Sequence, residues 1–295
     1  MTTLHPKTLI QLESLRASPS GSVIFHGRRG IGKATAAREL ACSLNCLADN
    51  SAQCVPCRQI MAGNFPDFIW VDKGDKASIS IELIRSLITS LSLRPYRTGS
   101  LRVVVIDEAH LLTVEAQNAL LKLLEEPPPA TLVILLAEYV ESLLITVRSR
   151  CRLVAFPLPG RIAVEAMLVT TKGLPGQVAT QLAAASGGLP GVAINLAEQP
   201  AQAQALMELT KHADTVTKLN MFSRLILAAK LISSGADLIG FSDVLHRRFV
   251  IELTDGDLTG PVLAVRLNAL ERFRTQLRAK VSARVALERL MLELG

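Results

Sequence analysis

Three glycines and a lysine carry the first legible chemistry of this chain: Gly27, Gly30, Gly32 and Lys33, within Gly27-Arg28-Arg29-Gly30-Ile31-Gly32-Lys33-Ala34. Glycines at that spacing let backbone N–H groups turn inward around phosphate oxygens. The N-terminus of a following helix adds its dipole, and the lysine reaches terminal phosphates. This is the pattern of a P-loop, with one departure. Ala34 stands where serine or threonine normally offers a hydroxyl to Mg²⁺. Thr35 follows, but one step along a helix turns a side chain by about 100°, so it is not expected to substitute. The expectation is ATP binding, with Mg²⁺ held weakly or not at all and hydrolysis slow or absent. About 75 residues downstream, Asp107 and Glu108 form a second group. Adjacent carboxylates at the end of a buried strand can hold a metal-bound water and orient an attacking one.

These groups need elements to hold them. Ser22 to His26 reads as a short strand running into the glycine loop, and a helix is expected from about Lys33 to Cys46. Val103 to Ile106, with three valines in four residues, suits a strand buried on both faces of a parallel sheet. It delivers Asp107 and Glu108 to the carboxyl edge, where open α/β sheets bind ligands. Apolar residues recur at helical spacing from Val114 to Leu124 and stop against Pro127-Pro128-Pro129, after which Leu132 to Ala137 reads as another buried strand. Strand, helix and strand make one crossover unit. Phe68 and Trp70 flank a further strand and read as core. His110, at a strand-to-helix junction, reads as a capping or packing residue with no chemistry assigned.

Cysteines form a third constellation. Cys54-Val55-Pro56-Cys57 has metal-knuckle spacing, Cys46 lies eight residues upstream, and Cys42 precedes Cys46 by four, on the same helix face. Four thiolates, Cys42, Cys46, Cys54 and Cys57, are thus available to one zinc ion, which would close a loop too short for its own core. The alternative is a set of buried thiols beside a stray CxxC pair.

Composition sets outer limits. A chain of 295 residues, 49% hydrophobic, can bury more than one core and suggests two or three domains. No apolar run approaches the roughly 20 residues of a membrane span, and the first residues lack the basic start and apolar stretch of a signal peptide, so no membrane association and cytoplasmic residence are expected. The net charge of +6 permits nucleic-acid contact without demanding it, because aromatic residues make up only 4%. Residues 260–295 hold seven Arg or Lys against three Glu, which reads as a solvated helix face.

The P-loop, the cysteine loop, Asn64-Phe65-Pro66-Asp67, the strand ending in Asp107-Glu108, NALLKLLEEPP from Asn118 to Pro128, and Ser149-Arg150-Cys151 occur in one order. That order, over residues 5 to about 196, resembles the bacterial clamp-loader AAA+ subunits of DNA polymerase III, the gamma/tau and delta prime proteins. The resemblance implies that Arg150 reaches across a subunit interface to the γ-phosphate of ATP bound next door, where an arginine supplied in trans stabilises charge on the transferring phosphoryl group. It implies partners: gamma/tau motor and delta subunits, a sliding clamp, and primed DNA met through the assembled complex. Three departures weigh against a motor of gamma type. Ala34 lacks the hydroxyl; Glu138 stands where motor subunits carry a polar residue, usually threonine; and Pro190, in Gly188-Leu189-Pro190-Gly191, takes the place of a lid arginine. A carboxylate beside a γ-phosphate would repel it. The resemblance is therefore strongest to the delta prime branch; it implies that Glu108 orients water in an active relative and is a vestige in this branch. Arg148 and Arg152 read as surface or interface charges. In the family's cysteine series Ile60 occupies a ligand position, which Cys42 is expected to make good.

The implied architecture is an α/β AAA+ P-loop module with a parallel sheet, followed by a small helical lid and an all-α C-terminal collar. Residues 1–157 form the nucleotide module, with the cysteine insertion near 42–57; residues 158–198 form the lid, with turns at Pro175-Gly176 and Gly187 to Gly191; and residues 204–295 form the collar, after a linker at Glu198 to Gln202. Leu263, Leu267, Leu270, Phe273, Leu277 and Val281 recur at helical spacing, which fits either an internal core or a surface that packs on neighbouring subunits. Three functions stay open: a largely non-hydrolysing subunit that lends Arg150 to a neighbour, a hydrolysing gamma/tau-type motor using Lys33, Asp107 and Glu108, and a repair or recombination AAA+ protein that binds DNA through its basic C-terminal segment.

Overall fold

The computed structural model of the chain describes residues 4–47, 54–91, 95–97, 99–254, 260–279 and 281–294. Helix α1 (Pro6–Ala17) leads into β1 (Gly21–His26), which passes through the glycine loop into α2 (Lys33–Asn45). Helix α3 (Val55–Met61) and strand β2 (Phe68–Val71) follow, then α4 (Ile81–Leu91), β3 (Arg102–Ile106), α5 (Val114–Glu125) and β4 (Thr131–Ala137). The one-turn helix α6 (Ile145–Arg148) precedes β5 (Arg152–Ala155). The five strands make one sheet in the order β2-β3-β4-β1-β5, and every pair is parallel. Strands β3 and β4 are buried along their whole length, and past Arg102 and Thr131 they are the apolar runs that a sheet covered on both faces requires. With β4 between β1 and β3, the residues after β1, β3 and β4 come together at one carboxyl edge.

Local chemistry explains the helix that matters most. The Thr113 hydroxyl caps α5 by accepting from the Ala116 N–H at 3.2 Å, and Glu115 sits in its first turn, where a negative charge complements the helix dipole. Ala116, Leu120, Leu123 and Leu124 face inward, and the helix ends before Pro127, which cannot continue it. Behind the sheet edge, buried Asp67 accepts N–H bonds from Tyr96 at 2.8 Å and Arg97 at 3.3 Å and the Ser100 hydroxyl; Arg102 lies 4.0 Å away. The motif Asn64 to Asp67 thus closes a loop and takes no part in the phosphate edge.

Helices α7 (Arg161–Lys172), α8 (Gly176–Ala185), α9 (Pro190–Glu198), α10 (Pro200–Val216), α11 (Met221–Ser233), α12 (Leu238–Thr254), α13 (Gly260–Arg278) and α14 (Ala283–Glu293) complete the chain. It divides into two compact units: Met1–Met167 with Leu189–Gly191, and Leu168–Gly188 with Val192–Gly295. The second has its own core, in which Phe241, Phe249, Leu270, Phe273, Leu287 and Leu290 are buried together. Leu263, Leu267 and Leu277 pack against that core and Val281 is exposed, so most of the helical stripe seen in sequence faces inward within this unit. Two expectations need correction. The linker at Glu198 to Gln202 does not exist as a linker: Gln199 alone separates α9 from α10, because Pro200 takes the first position of α10, where its fixed φ suits a helix start. Trp70 is only half-buried, its ring covered by the Arg38 guanidinium at 4.3 Å, whereas Phe68 is core. No helix among the described residues is long and apolar enough to cross a membrane.

Candidate functional site

The glycine loop leaves β1 at His26. Gly27 has φ +147, and a Cβ there would lie 2.5 Å from the Phe156 carbonyl oxygen, so only glycine fits. Gly32 caps α2 in the left-handed region at φ 104. Lys33, first residue of α2, folds back over the loop, its Nζ donating to the carbonyls of Gly27 at 2.5 Å and Arg28 at 3.0 Å. Burial lowers the Lys33 pKa, opposed by the charges of Glu138 and Asp107.

A cavity of about 360 Å³ opens above this loop, lined by Gly30, Gly32, Lys33, Ala34, Thr35, Asp107, Glu108, His110, Glu138 and Gly191, among others. The residues read from sequence as phosphate and metal-water groups therefore meet in one place, apart from Gly27, which lies beneath it. Thr35 lines the cavity along with Ala34. Burial raises the Asp107 pKa, while the Glu108 N–H, donating to Asp107 Oδ1 at 2.8 Å, works against that shift. Glu108 adopts a left-handed backbone at φ 45, uncommon for a residue with a side chain. Its carboxylate lies 3.8 Å from Lys73 Nζ and 4.0 Å from Arg29. His110, assigned no chemistry in the sequence, borders the cavity, with a buried Nδ1 that has no hydrogen-bond partner among the described residues. Its position one step past Asp-Glu-Ala was the available signal.

The cavity holds an acidic surplus: Asp107, Glu108 and Glu138 face Lys33 and the exposed Arg29. No hydroxyl replaces the methyl of Ala34 at its own position. Pro190 begins α9 and brings no charge; the next N–H, of Gly191, donates to the Gly30 carbonyl at 2.8 Å. A Cβ at Gly191 would meet that oxygen at 2.9 Å, so the backbones touch.

Arg150 lies beyond the cavity, after α6. Its Nε donates to Glu125 Oε1 at 2.5 Å, Nη2 pairs with the same oxygen, and Nη1 donates to the Thr146 carbonyl at 3.0 Å. Its side chain is 34% exposed. The segment is positioned by Gln117, a buried amide on α5 that carries no motif signal in the sequence: Nε2 donates to the Leu112 carbonyl at 3.3 Å, and Oε1 accepts from the Leu144 N–H at 2.8 Å at the start of α6. Arg152 donates to Ser14 Oγ at 3.1 Å on the surface, whereas Arg148 has a buried Nε without a partner among the described residues. Cys151 is an inert thiol, its pKa pushed up to about 12 by burial.

The sulfur atoms of Cys46, Cys54 and Cys57 lie within 4.8 Å of one another, with Cys46 to Cys54 at 3.6 Å and Cys54 to Cys57 at 3.2 Å. Zinc–sulfur bonds of about 2.3 Å in a tetrahedron set thiolates just under 4 Å apart, so these three fit three corners of a zinc site. Cys42 stands outside the group, its thiol donating to the Cys57 carbonyl at 3.7 Å, and burial raises its pKa as it raises that of Cys57. By contrast, backbone hydrogen bonding at Leu47 and Cys57 lowers the Cys54 pKa to about 7. Residues 48–53 of the expected insertion lie outside the described residues.

The family whose model matches residues 7–159 is described as "DNA polymerase III, delta subunit". The chain is 32% identical over 195 residues to the DNA polymerase III subunit delta' of Pseudomonas aeruginosa, covering 64% of this chain and 59% of that relative, so it spans under two thirds of the relative's length. It is 39% identical over 132 residues to DNA polymerase III subunit tau of Escherichia coli, covering 43% of this chain and 20% of tau. A solved structure of a DNA polymerase III gamma subunit-related protein from Thermotoga maritima aligns over 98% of both chains with a TM-score of 0.50 and 16% identity. At that identity the likeness speaks to fold alone, a parallel-sheet α/β module followed by helices.

Proposed function

We propose a role that proceeds from one premise: the chain belongs to the DNA polymerase III delta subunit family. It is a clamp-loader subunit of delta prime type, working with gamma/tau motor and delta subunits to place a sliding clamp on primed DNA in the bacterial cytoplasm. It hydrolyses little or no ATP itself and offers Arg150 in trans to the γ-phosphate on a neighbouring motor. One observation carries this reading: Glu138 faces the same cavity as Lys33 and Asp107, so a γ-phosphate entering there would meet a carboxylate. Ala34 and Pro190 support it, each lacking a group that a working site would use. Gly27, Gly30, Gly32 and Lys33 still suit nucleotide phosphates, and Asp107 would help hold any Mg²⁺; Glu108 is a vestige. Zinc, where bound, is held by Cys46, Cys54 and Cys57, with no thiol from Cys42, and acts as a structural clip. Residues 1–157, 158–198 and 204–295 serve as nucleotide module, lid and collar.

A second reading, a hydrolysing gamma/tau-type motor, draws on Lys33, Asp107 and Glu108 bordering one cavity. The test is ATP turnover by the complex reconstituted with motor and delta subunits, comparing wild type with Arg150→Ala. Loss of a tenfold or larger share of DNA-stimulated turnover, with none by the isolated chain, is the expected outcome. Hydrolysis by the isolated chain that vanishes with Lys33→Ala would establish the motor instead.

A further inference from the structure

Arg150 is not free in this chain. A guanidinium has five N–H donors and no acceptor. Here the Nε and Nη2 edge is spent on Glu125 Oε1, and Nη1 on the Thr146 carbonyl at 3.0 Å with Ser149 Oγ at 3.5 Å. Glu125 is the last residue of α5, a helix whose packed face is made by Ala116, Leu120, Leu123 and Leu124. Its partner sits two residues past the end of α6, the segment that Gln117 ties to that same helix. The pair thus joins the end of α5 to the segment just after α6.

From this geometry we propose that Glu125 is a positioning residue that holds Arg150 in cis until a phosphate displaces it. The inference rests on the trans role of Arg150 proposed above. Both side chains are partly exposed, 34% for Arg150 and 47% for Glu125, and an exposed ion pair shifts an equilibrium by no more than about fivefold. Only one carboxylate oxygen is used. A terminal phosphate, doubly charged and able to accept two parallel N–H bonds, outcompetes it. The carboxylate then turns to water. Glu125 keeps the finger from pairing with other anions and raises the nucleotide concentration needed to engage it, without touching the reacting atoms.

The test is Glu125→Gln in the reconstituted complex, with Glu125→Asp as the conservative variant and Arg150→Ala alongside. The glutamine keeps the shape and removes the charge. The expected result is a two- to fivefold fall in the KM for ATP with kcat within about 1.5-fold of wild type, and an intermediate KM for Glu125→Asp. In the isolated chain, the Arg150 Nε–H resonance moves toward its solvent-exposed position in the glutamine variant. Unchanged KM with a severe Arg150→Ala defect overturns the holding role and leaves the trans finger intact. A Glu125→Gln loss as deep as that of Arg150→Ala also overturns it, since Glu125 would then support the finger instead of restraining it. An Arg150→Ala complex at full turnover sinks both readings.

Discussion

At the scale of single residues, the cavity is decided by a few charges. Glu138, Asp107 and Glu108 outnumber the half-buried Lys33 and the exposed Arg29, and removing one carboxylate should change nucleotide affinity more than any packing change there. Glu138→Gln is expected to tighten binding of an ATP analogue by about tenfold at low salt, a gain of roughly 1.4 kcal/mol that declines as salt screens it; equilibrium titration checks it. Binding should also strengthen as pH falls: Lys33, whose pKa is lowered by burial, gains its charge on that descent, and Asp107, whose pKa is raised by burial, gives up its charge earlier than an ordinary aspartate. Much of this site is legible in the amino-acid sequence. Gly27, Gly30, Gly32, Lys33, Asp107 and Glu108 stand out there because a phosphate loop and an acidic strand end are defined by spacing along the chain. Glu125, Gln117 and the bordering position of His110 do not, because each depends on a partner about 25 residues away or on which side of a short turn a ring falls.

At the scale of elements, α2, α3 and the segment between them carry the cysteine site. Helical periodicity places Cys42 and Cys46 on one face, yet α2 ends at Asn45 with Cys46 as its extended C-cap, and the thiol of Cys42 donates to the Cys57 carbonyl on α3. Sequence distance could not report this because the angle between α2 and α3 is a packing outcome. Cys57→Ser should therefore abolish binding of one equivalent of zinc and lower the apparent Tm, whereas Cys42→Ser should keep at least half of that equivalent; metal analysis after dialysis against a mild chelator separates them. Equal loss in both variants would return Cys42 to the ligand set. The strands were the easiest elements to foresee, since runs such as Val103 to Ile106 admit few other uses. The linker was the hardest: a proline and two glutamines look like a break, but proline also begins helices.

At the scale of the whole molecule, each of the two compact units has buried apolar residues of its own, and those of the second come from helices alone. Phe241→Ala, at a fully buried position in it, should cost about 3–5 kcal/mol. In urea, the helical signal by circular dichroism should shift to a lower midpoint, while fluorescence of Trp70, the one tryptophan in the chain and part of the sheet unit, should hold its midpoint. A joint shift would mean that the units unfold as one. The sheet unit has a further property. Gly27 is barred from bearing a side chain by the Phe156 carbonyl, 2.5 Å from where a Cβ would sit, and Phe156 is itself pinned by its N–H bond to His26 at 2.8 Å. No nucleotide enters into that exclusion. A descendant of this chain that lost every use for ATP would still be forced to keep the glycine, so this part of its phosphate signature is a fossil held in place by the architecture and testifies to ancestry rather than to present use.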